Sequence, residues 1–356
     1  MDAWRWLGVQ GAAVKCARQL SATNQDLDRL ALLLLSLPAL EHAGVILHPR
    51  RDASPAAFQA FLAAAALALA RCSRLQRLDL DIELDRWGAG VRRTVLEAAE
   101  ARALERLMTG LAGLTRLRAL TLELTEDCIG APLPACTSCL AQLTYLCLGG
   151  FVNLVCAPGW ARLPALECLE FRDCMYAADG EEALPGMDTL VSLTSLSLDE
   201  CPSLRALPTS LWRLSRLCSI VHYTNKADLA DLPRSELPFA GLPATAPCFA
   251  FMTHLTLAGH NWPACPPGIL AMRRLKQLDL SRGCFEHLPE GVSALTALEG
   301  LRLGRHTAEP EQIGGAFDAR ALGCLARFPF LRELSFNKIA ACFSARALRP
   351  RPRTPA

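Results

Sequence analysis

The sequence of 356 residues has few tyrosines, few lysines and almost no net charge. It contains three Tyr and four Lys, and its formal net charge is +2 at neutral pH. A nearly neutral chain has no global electrostatic attraction for nucleic acid or for an anionic membrane. None of its five asparagines begins an Asn-x-Ser/Thr glycosylation acceptor. We therefore expect no nucleic-acid partner, and the 51% apolar content favours a packed interior.

Long hydrophobic runs are also missing. The apolar run from Ala56 to Ala70 spans 15 residues and contains Gln59, which is too short for a membrane helix. The first residues lack a basic region followed by a clean apolar core, so we see no signal peptide. The expectation is no membrane insertion and a cytoplasmic location, with a cytoskeletal or axonemal location as the alternative.

The 16 cysteines do not form a short-spaced disulfide framework. They are scattered, which favours a reducing compartment and free, mostly buried thiols. Cys136 and Cys139 form one C-x-x-C, but no second pair follows to complete a four-thiolate zinc site. Packing in a helical segment is the simplest interpretation, and a redox role for this pair stays open. No nucleophile elbow, phosphate loop or paired-His motif is present, so we expect no cofactor, no metal and no enzyme.

The strongest positive signal is a copied leucine spacing. Leu275, Leu278 and Leu280 recur 23 residues later as Leu298, Leu301 and Leu303. The last two leucines of each set alternate with polar residues, which is the period of a strand with one buried face. A fixed period of this length is typical of a solenoid, in which each unit buries its apolar side chains against its neighbours.

A helical return follows each strand in this interpretation. Pro289 cannot donate to a strand ladder but fits the first turn of a helix. Val292, Leu295 and Leu298 then lie three residues apart, on one side of a helical turn. Strand starts with the same pattern recur along the chain at Leu75, Leu117, Leu143, Leu166, Leu193, Leu217, Met252, Leu275, Leu298 and Leu331, with a weaker copy at Leu40.

The L-x-x-L-x-L strand and the L-P-x-x-I-x-x-L return resemble the intracellular type of leucine-rich repeat. The resemblance implies an α/β solenoid, a curved horseshoe with a parallel sheet on the concave face and short helices or turns on the convex face. It also implies an inward Asn or Cys at the ninth position of a unit. The positions that match are Cys174, Cys201 and Asn225.

The predicted organisation has three parts. Residues 1–40 form an N-terminal helical cap or the start of the first repeat, with a helix start near Asn24. Residues 41–345 form an array of about ten or eleven units, with an insertion near 225–247. Residues 346–356 form a basic, proline-rich, disordered tail. The thin cap leaves open that the chain is a fragment of a longer protein.

The candidate binding residues are the polar positions around the strand leucines. In the first five clear units these positions carry an acidic surplus of five charges, and in the last five a basic surplus of three. We expect two patches that orient a partner of reversed charge, although a merely solvated face is the alternative. The predicted partner-binding residues are Glu123, Tyr145, Glu167, Glu170, Asp173, Asp199, Glu200, Tyr223, His254, Lys276, Arg282, Arg302, Arg305 and Arg332. His222 lies on a strand and is a further residue that could face a ligand.

The predicted function is a non-catalytic protein–protein interaction module that binds a macromolecular partner on the concave face. The partner is expected to be a protein, and the sequence does not identify it. One alternative is a structural scaffold of a cytoskeletal or axonemal assembly. Another is a sensor or adaptor fragment of an immune receptor or of a ubiquitin ligase.

Overall fold

The structure is a computed structural model and divides into two compact units, residues Met1–Leu217 and Cys218–Ala356. The structure describes residues 19–24, 37, 39–47, 55–83, 98–125, 137, 140–151, 163–174, 186–199, 201, 209–223, 243, 245–258, 266–281, 290–304 and 328–337.

Seven strands lie in the described part of unit 1, and each pairs in parallel with the next along the chain. Sequential parallel strands require a crossover connection between them. The strands are β1 (Gln19–Asn24), β2 (His42–Leu47), β3 (Arg77–Glu83), β4 (Ala119–Thr125), β5 (Tyr145–Gly149), β6 (Cys168–Arg172) and β7 (Ser195–Asp199).

Unit 2 repeats this arrangement with five described strands, again parallel and paired in chain order. Its strands are β8 (Ser219–Tyr223), β9 (His254–Ala258), β10 (Gln277–Leu280), β11 (Gly300–Gly304) and β12 (Glu333–Asn337).

The strand leucines form the core. Leu78 of β3 pairs with Leu120 of β4, and both are fully buried. The residues between the strand leucines point to the other face because side chains alternate along a strand. In-register pairing places each leucine beside its counterpart in the next coil. The interior is therefore a set of leucine rows, as the sequence predicted.

Two returns of unit 1 are α-helices, α1 (Pro55–Ala70) and α2 (Ala98–Leu111). They pack closely where a Cβ added at Gly110 would lie 3.1 Å from the Cβ of Ala66. The outer side of α2 carries Arg102, Glu105 and Arg106, whereas that of α1 exposes alanines and Leu67. In the part of the chain that the structure describes, no helix has the length and apolarity needed to span a bilayer.

The other described returns are short 3-10 helices. They occupy few residues, and a 3-10 turn closes in three residues instead of 3.6. Val292, Leu295 and Leu298 are fully buried, as their spacing predicted. These returns are Met187–Thr189, Thr209–Arg213, Pro247–Ala250, Pro267–Ala271 and Glu290–Ala294.

A repeated backbone contact joins successive coils. The carbonyl of Arg118 accepts the amides of Thr144 and Tyr145, at 2.8 and 3.0 Å. In unit 2, the carbonyl of Lys276 accepts the amides of Glu299 and Gly300, at 2.8 and 2.9 Å. Because one acceptor serves two amide donors, this contact holds the start of each of these strands through the backbone, and the Thr144 hydroxyl also donates to the Arg118 carbonyl, at 3.2 Å. We call it the double-acceptor contact.

Several sequence predictions can be compared with these elements. The weak copy at Leu40 is confirmed, because Ala43 and Val45 of β2 are buried. Strand β1 extends the series into residues 1–40. Asn24 ends β1, and the helix start predicted after it lies outside the described residues, as do the tail and most of the predicted insertion.

The ninth-position cysteines point inward, as the family resemblance implied. Cys174 Sγ lies 3.4 Å from the Leu148 carbonyl oxygen and 3.2 Å from that of Arg172. Cys201 Sγ lies 3.4 Å from the Asp199 carbonyl oxygen. Both side chains are fully buried. Asn225, Cys136 and Cys139 lie outside the described residues.

Candidate functional site

The exposed strand face of unit 1 carries charged side chains in columns. Glu123, Gly149 and Arg172 occupy one column on β4, β5 and β6, since Glu123 pairs with Gly149 and Gly149 with Arg172. Asp199 follows in the same column on β7. Register therefore brings together residues that are 26, 23 and 27 positions apart in the sequence.

Arg172 joins two carboxylates across this face. Its Nη1 lies 2.6 Å from Glu123 Oε1, and its Nη2 lies 2.9 Å from Glu170 Oε2. Arg172 reaches β4 by passing over β5, where Gly149 has no side chain. A Cβ at Gly149 would lie 2.9 Å from Glu123 Cγ. Gly149 is thus the gap that lets the guanidinium span three strands. We call Glu123, Gly149, Glu170 and Arg172 the arginine bridge.

A second pair of contacts lies beside the arginine bridge. Arg77 Nε lies 2.9 Å from Asp79 Oδ2, and the Thr121 hydroxyl donates to Asp79 Oδ1 at 2.7 Å. The Arg77 guanidinium also lies 5.9 Å from the centre of the Tyr145 ring, within the range of a cation–π contact. Burial, and then the charges of neighbouring groups, raise the pKa of Tyr145 above its ordinary value. Tyr145 is therefore a neutral, part-exposed phenol at physiological pH.

Two thiols belong to the same face. Cys147 Sγ lies 3.9 Å from Glu123 Oε1, and Cys168 Sγ lies 3.9 Å from Glu170 Oε1. Burial raises the pKa of Cys147 to about 12, although the positive charge of Arg172 opposes the rise. Burial, and then the charge of Glu170, also raise the pKa of Cys168. Since the thiolate is the reactive form, neither group is an activated nucleophile.

The predicted residues Glu167 and Asp173 flank β6 and expose their side chains. Asp173 has a φ of 49°, in the left-handed region that Asp tolerates better than most residues. Its amide donates to the carbonyl of Asp199 at 3.0 Å. Burial, and then the charge of Asp173, raise the pKa of the Asp199 carboxyl.

The exposed face of unit 2 carries the other predicted residues that the structure describes. Tyr223 is half-buried, and His254 is exposed with its Nδ1 2.8 Å from the Thr253 hydroxyl. Lys276 Nζ lies 3.2 Å from Glu299 Oε1. Arg302 and Arg332 are exposed on β11 and just before β12. The predicted residues Glu200, Arg282 and Arg305 lie outside the described part of the chain.

The charge balance of the two faces differs in a way that the sequence count did not resolve. Among described residues, the unit 1 face has seven carboxylates against three arginines, so its acidic surplus remains. The unit 2 face has three basic groups, and its three carboxylates balance them. The predicted basic surplus rests on residues outside the described ranges, namely Arg282, Arg305 and Lys338.

The prediction that His222 could face a ligand is wrong. His222 is fully buried, and burial lowers its pKa to about 3. The physical reason is the alternation of the strand. Ile220 and His222 occupy the two inward positions of β8, which are held by Leu255 and Leu257 in β9. Tyr223 takes the outward position that follows.

Sequence reasoning missed the arginine bridge, although a signal for it was present. Three residues each lie six positions after the first leucine of their own repeat. They are Glu123 after Leu117, Gly149 after Leu143 and Arg172 after Leu166. Aligning the units by their leucines places the three residues in one column. A sum of charges over each half of the array conceals ion pairs that form across a strand.

The side chains on these faces are mainly polar and charged. Among the residues that the structure describes, no three His, Cys, Asp or Glu side chains converge as a metal site. The exposed strand faces offer carboxylates, guanidinium groups and a phenol on rigid strands. Such groups can form hydrogen bonds and ion pairs with another macromolecule.

The repeating coils identify the fold. In-register parallel strands, strand leucines facing one interior, short helical returns and inward ninth-position cysteines occur together. The fold is a leucine-rich-repeat solenoid.

Comparison with known proteins gives structural likeness only. No family model and no curated protein matches the sequence. An internalin, InlF from Listeria monocytogenes, is 13% identical, with a TM-score of 0.48, over 92% of this chain and 84% of its own.

Two further solved structures share shorter parts of their length with this chain. The leucine-rich-repeat ectodomain of the Arabidopsis thaliana receptor kinase GASSHO1/SCHENGEN3, in complex with CASPARIAN STRIP INTEGRITY FACTOR 2, is 16% identical with a TM-score of 0.40. The match covers 90% of this chain and 38% of the ectodomain. TLR13 in complex with ssRNA13 is 15% identical with a TM-score of 0.44, over 92% of this chain and 52% of its own.

Proposed function

We propose that this protein is a non-catalytic module that binds a protein partner through the exposed strand face of unit 1. The observation that carries the proposal is the arginine bridge with its surrounding carboxylates. These groups project from consecutive strands, so their spacing is set by the sheet and not by loops. Binding to a pre-ordered surface loses less conformational entropy than binding to a flexible one.

The charge of this face indicates the chemistry of the partner. Glu123 and Glu170 are already occupied by Arg172, whereas Glu167 and Asp173 are exposed beside them. The outer carboxylates are thus the ones that an approaching partner meets first. A basic surface on the partner complements them, and charges at the rim of an interface mainly steer association.

The test is a pair of substitutions that lower the acidic charge without touching the arginine bridge. Glu167→Lys combined with Asp173→Asn reverses one charge and removes another, and Asn tolerates the left-handed backbone of position 173. We expect proteins captured from native lysate by the immobilised chain to bind at least about threefold more weakly to this variant. Quantitative mass spectrometry of the captured proteins, at two salt concentrations, measures the effect.

Glu105→Lys is the matched control, because Glu105 is an exposed carboxylate on α2, behind the sheet. It should leave capture unchanged. The proposal is wrong if both variants lose the same proteins equally, or if the double variant captures every protein as well as the unmodified chain. Circular dichroism of each variant verifies that the fold is retained.

We also propose a reducing, cytoplasmic compartment. The seven cysteines that the structure describes lie outside disulfides, and five of them are buried. A chain with many reduced thiols avoids oxidation most readily where glutathione and thioredoxin keep thiols reduced. Localisation of a tagged full-length chain by fluorescence microscopy, with cytoskeletal co-sedimentation as a second measurement, tests the compartment.

A further inference from the structure

Unit 2 has an open cavity on its exposed strand face, over β10, β11 and β12. Its volume is about 540 Å³. Arg302 and Arg332 line it together with Asp279, Glu333 and Leu334. The cavity combines two guanidinium groups with two carboxylates, which is a different composition from the acidic unit 1 face.

The position of Arg302 distinguishes the cavity. Its Nη1 lies 3.9 Å from Asp279 Oδ2, and its Nη2 lies 4.0 Å from Glu333 Oε2. Both distances are too long for hydrogen bonds, although they retain electrostatic attraction. The Arg302 side chain is 59% exposed. Two carboxylates therefore attract its planar guanidinium without forming hydrogen bonds with it, and the side chain lines the cavity.

The two carboxylates differ in how firmly they are held. Asp279 is only 18% exposed, and its Oδ1 accepts the Ser281 amide at 2.8 Å. Glu333 is 65% exposed, so it can rotate towards solvent when another anion reaches Arg302. Asp279 then remains behind the guanidinium and keeps its orientation.

We infer that this cavity binds a carboxylate side chain of an acidic peptide segment. Arg302 supplies a fork of N–H donors that matches a carboxylate, and Arg332 adds positive charge. A polyphosphate backbone fits less well, because Asp279 and Glu333 balance the charge of the two arginines. This site goes beyond the proposed function, since it lies in unit 2 and recognises the opposite charge.

The experiment uses the full chain and a capped, fluorescent eight-residue peptide in which glutamate and leucine alternate. The reference peptide has glutamine in place of every glutamate. Fluorescence anisotropy at low ionic strength measures both dissociation constants. We expect the glutamate peptide to bind at least about tenfold more tightly, the effect of a charge-assisted hydrogen bond.

Three variants assign the effect to the cavity. Arg302→Gln should weaken binding of the glutamate peptide about tenfold, and Arg332→Gln by about two- to fivefold. Glu333→Gln should tighten binding about twofold, because it removes the competing carboxylate. Arg274→Gln is the control, since Arg274 is an exposed arginine of unit 2 that does not line the cavity. Arg302 is exposed, so its replacement should preserve the fold, and circular dichroism checks this.

Four outcomes would overturn the inference. They are equal binding of the glutamine peptide, absence of saturable binding, an equal loss in the Arg274 variant, and tighter Arg302-dependent binding of a single-stranded DNA oligonucleotide. None of these outcomes affects the unit 1 proposal, which is tested with Glu167 and Asp173. Conversely, failure of the unit 1 test leaves the peptide measurement interpretable.

Discussion

Arg172 in unit 1 and Arg302 in unit 2 both project from the middle of an exposed strand face, yet they are held differently. Arg172 makes contacts of 2.6 and 2.9 Å with Glu123 and Glu170. Arg302 lies 3.9 and 4.0 Å from its two carboxylates. Charge-assisted hydrogen bonds weaken steeply with distance and misalignment. Unit 1 thus has a closed ionic cluster, and unit 2 has an arginine that can still accept a ligand.

Gly149 accounts for the closed contact in unit 1. It lies between Glu123 and Arg172, so the guanidinium can cross β5 and close the contact. In unit 2, Arg302 has no strand to cross, because Asp279 lies directly opposite it on β10 and Gly300 lies in the column of Gln277. A residue with no functional group therefore determines which carboxylate Arg172 reaches. Four measurements test this account.

The largest expected effect is a loss of stability in acid that originates at His222 in unit 2. Burial lowers the pKa of His222 in unit 2 to about 3, whereas its value in an unfolded chain is near 6.5. The unfolded state then binds the proton more readily, so stability is full above pH 6.5 and is lost as pH falls towards 3. We expect the free energy of unfolding to fall by about 2 kcal/mol between pH 6.5 and about pH 5.

Urea denaturation followed by circular dichroism measures this loss. His222→Leu places a leucine where β9 has Leu257, and it should remove most of the acid sensitivity. An unchanged pH dependence in this variant would show that other groups cause the acid response.

The second measurement compares the two glycines. Gly149→Ala brings a Cβ to 2.9 Å from Glu123 Cγ, an atom held by the contact of Glu123 with Arg172. Gly300→Ala meets only the end of the Gln277 side chain, which can move aside. We expect Gly149→Ala to lower the free energy of unfolding by about 1 to 2 kcal/mol, and Gly300→Ala to change it by less than about 0.5 kcal/mol. Equal losses of unfolding free energy for the two variants in urea denaturation would contradict the role assigned to Gly149.

The third measurement removes each arginine. Arg172→Met leaves Glu123 and Glu170 facing each other, and both are mostly buried. We expect a loss of about 1 kcal/mol in unfolding free energy. Arg302→Gln should cost less than about 0.5 kcal/mol because its ion pairs are long and exposed. The difference should shrink in high salt, as a thermal denaturation series at rising salt concentration can show. A larger loss for Arg302 would reverse the comparison.

The smallest expected effect concerns Asp199. Burial and the charge of Asp173 raise its pKa, so the folded state binds the proton more readily than the unfolded state. Its contribution to stability therefore increases as pH falls, opposite in sign to that of His222. Asp199→Asn should remove this contribution, giving a slightly more stable protein at pH 7. Precise thermal denaturation at pH 7 and near pH 4 measures it, and a variant less stable at pH 7 would contradict the sign.

Much of the fold could be predicted because the repeat encodes it locally. Leu78 and Leu80 specify an inward strand face, and Val292 with Leu295 specifies the return. Cys174 and Cys201 occupy their inward positions for the same reason. Each assignment needs only the residue spacing within one repeat, and the alternation of side chains along a strand determines which side faces the core. The same count, applied to His222, would have placed it inward.

The candidate site was harder to predict because its contacts join side chains from different repeats. The partner of Arg172 depends on side-chain rotamers and on the absence of a side chain at Gly149. The 3.9 Å separation of Arg302 from Asp279 depends on side-chain reach, which no spacing rule supplies. Charge counts indicated an acidic surplus on the strands of unit 1, but they could not distinguish ion-paired carboxylates from exposed ones.

The double-acceptor contact has a consequence for how the binding surface can change. Its amide donors and its carbonyl acceptor are backbone atoms, although the Thr144 hydroxyl also donates to the Arg118 carbonyl, at 3.2 Å, and Lys276 forms an ion pair with Glu299. Almost any residue with an N–H can replace those that donate, and proline is excluded because it has none. New specificities can therefore be introduced at these positions, by selection or by design, while the stacking of the solenoid stays intact.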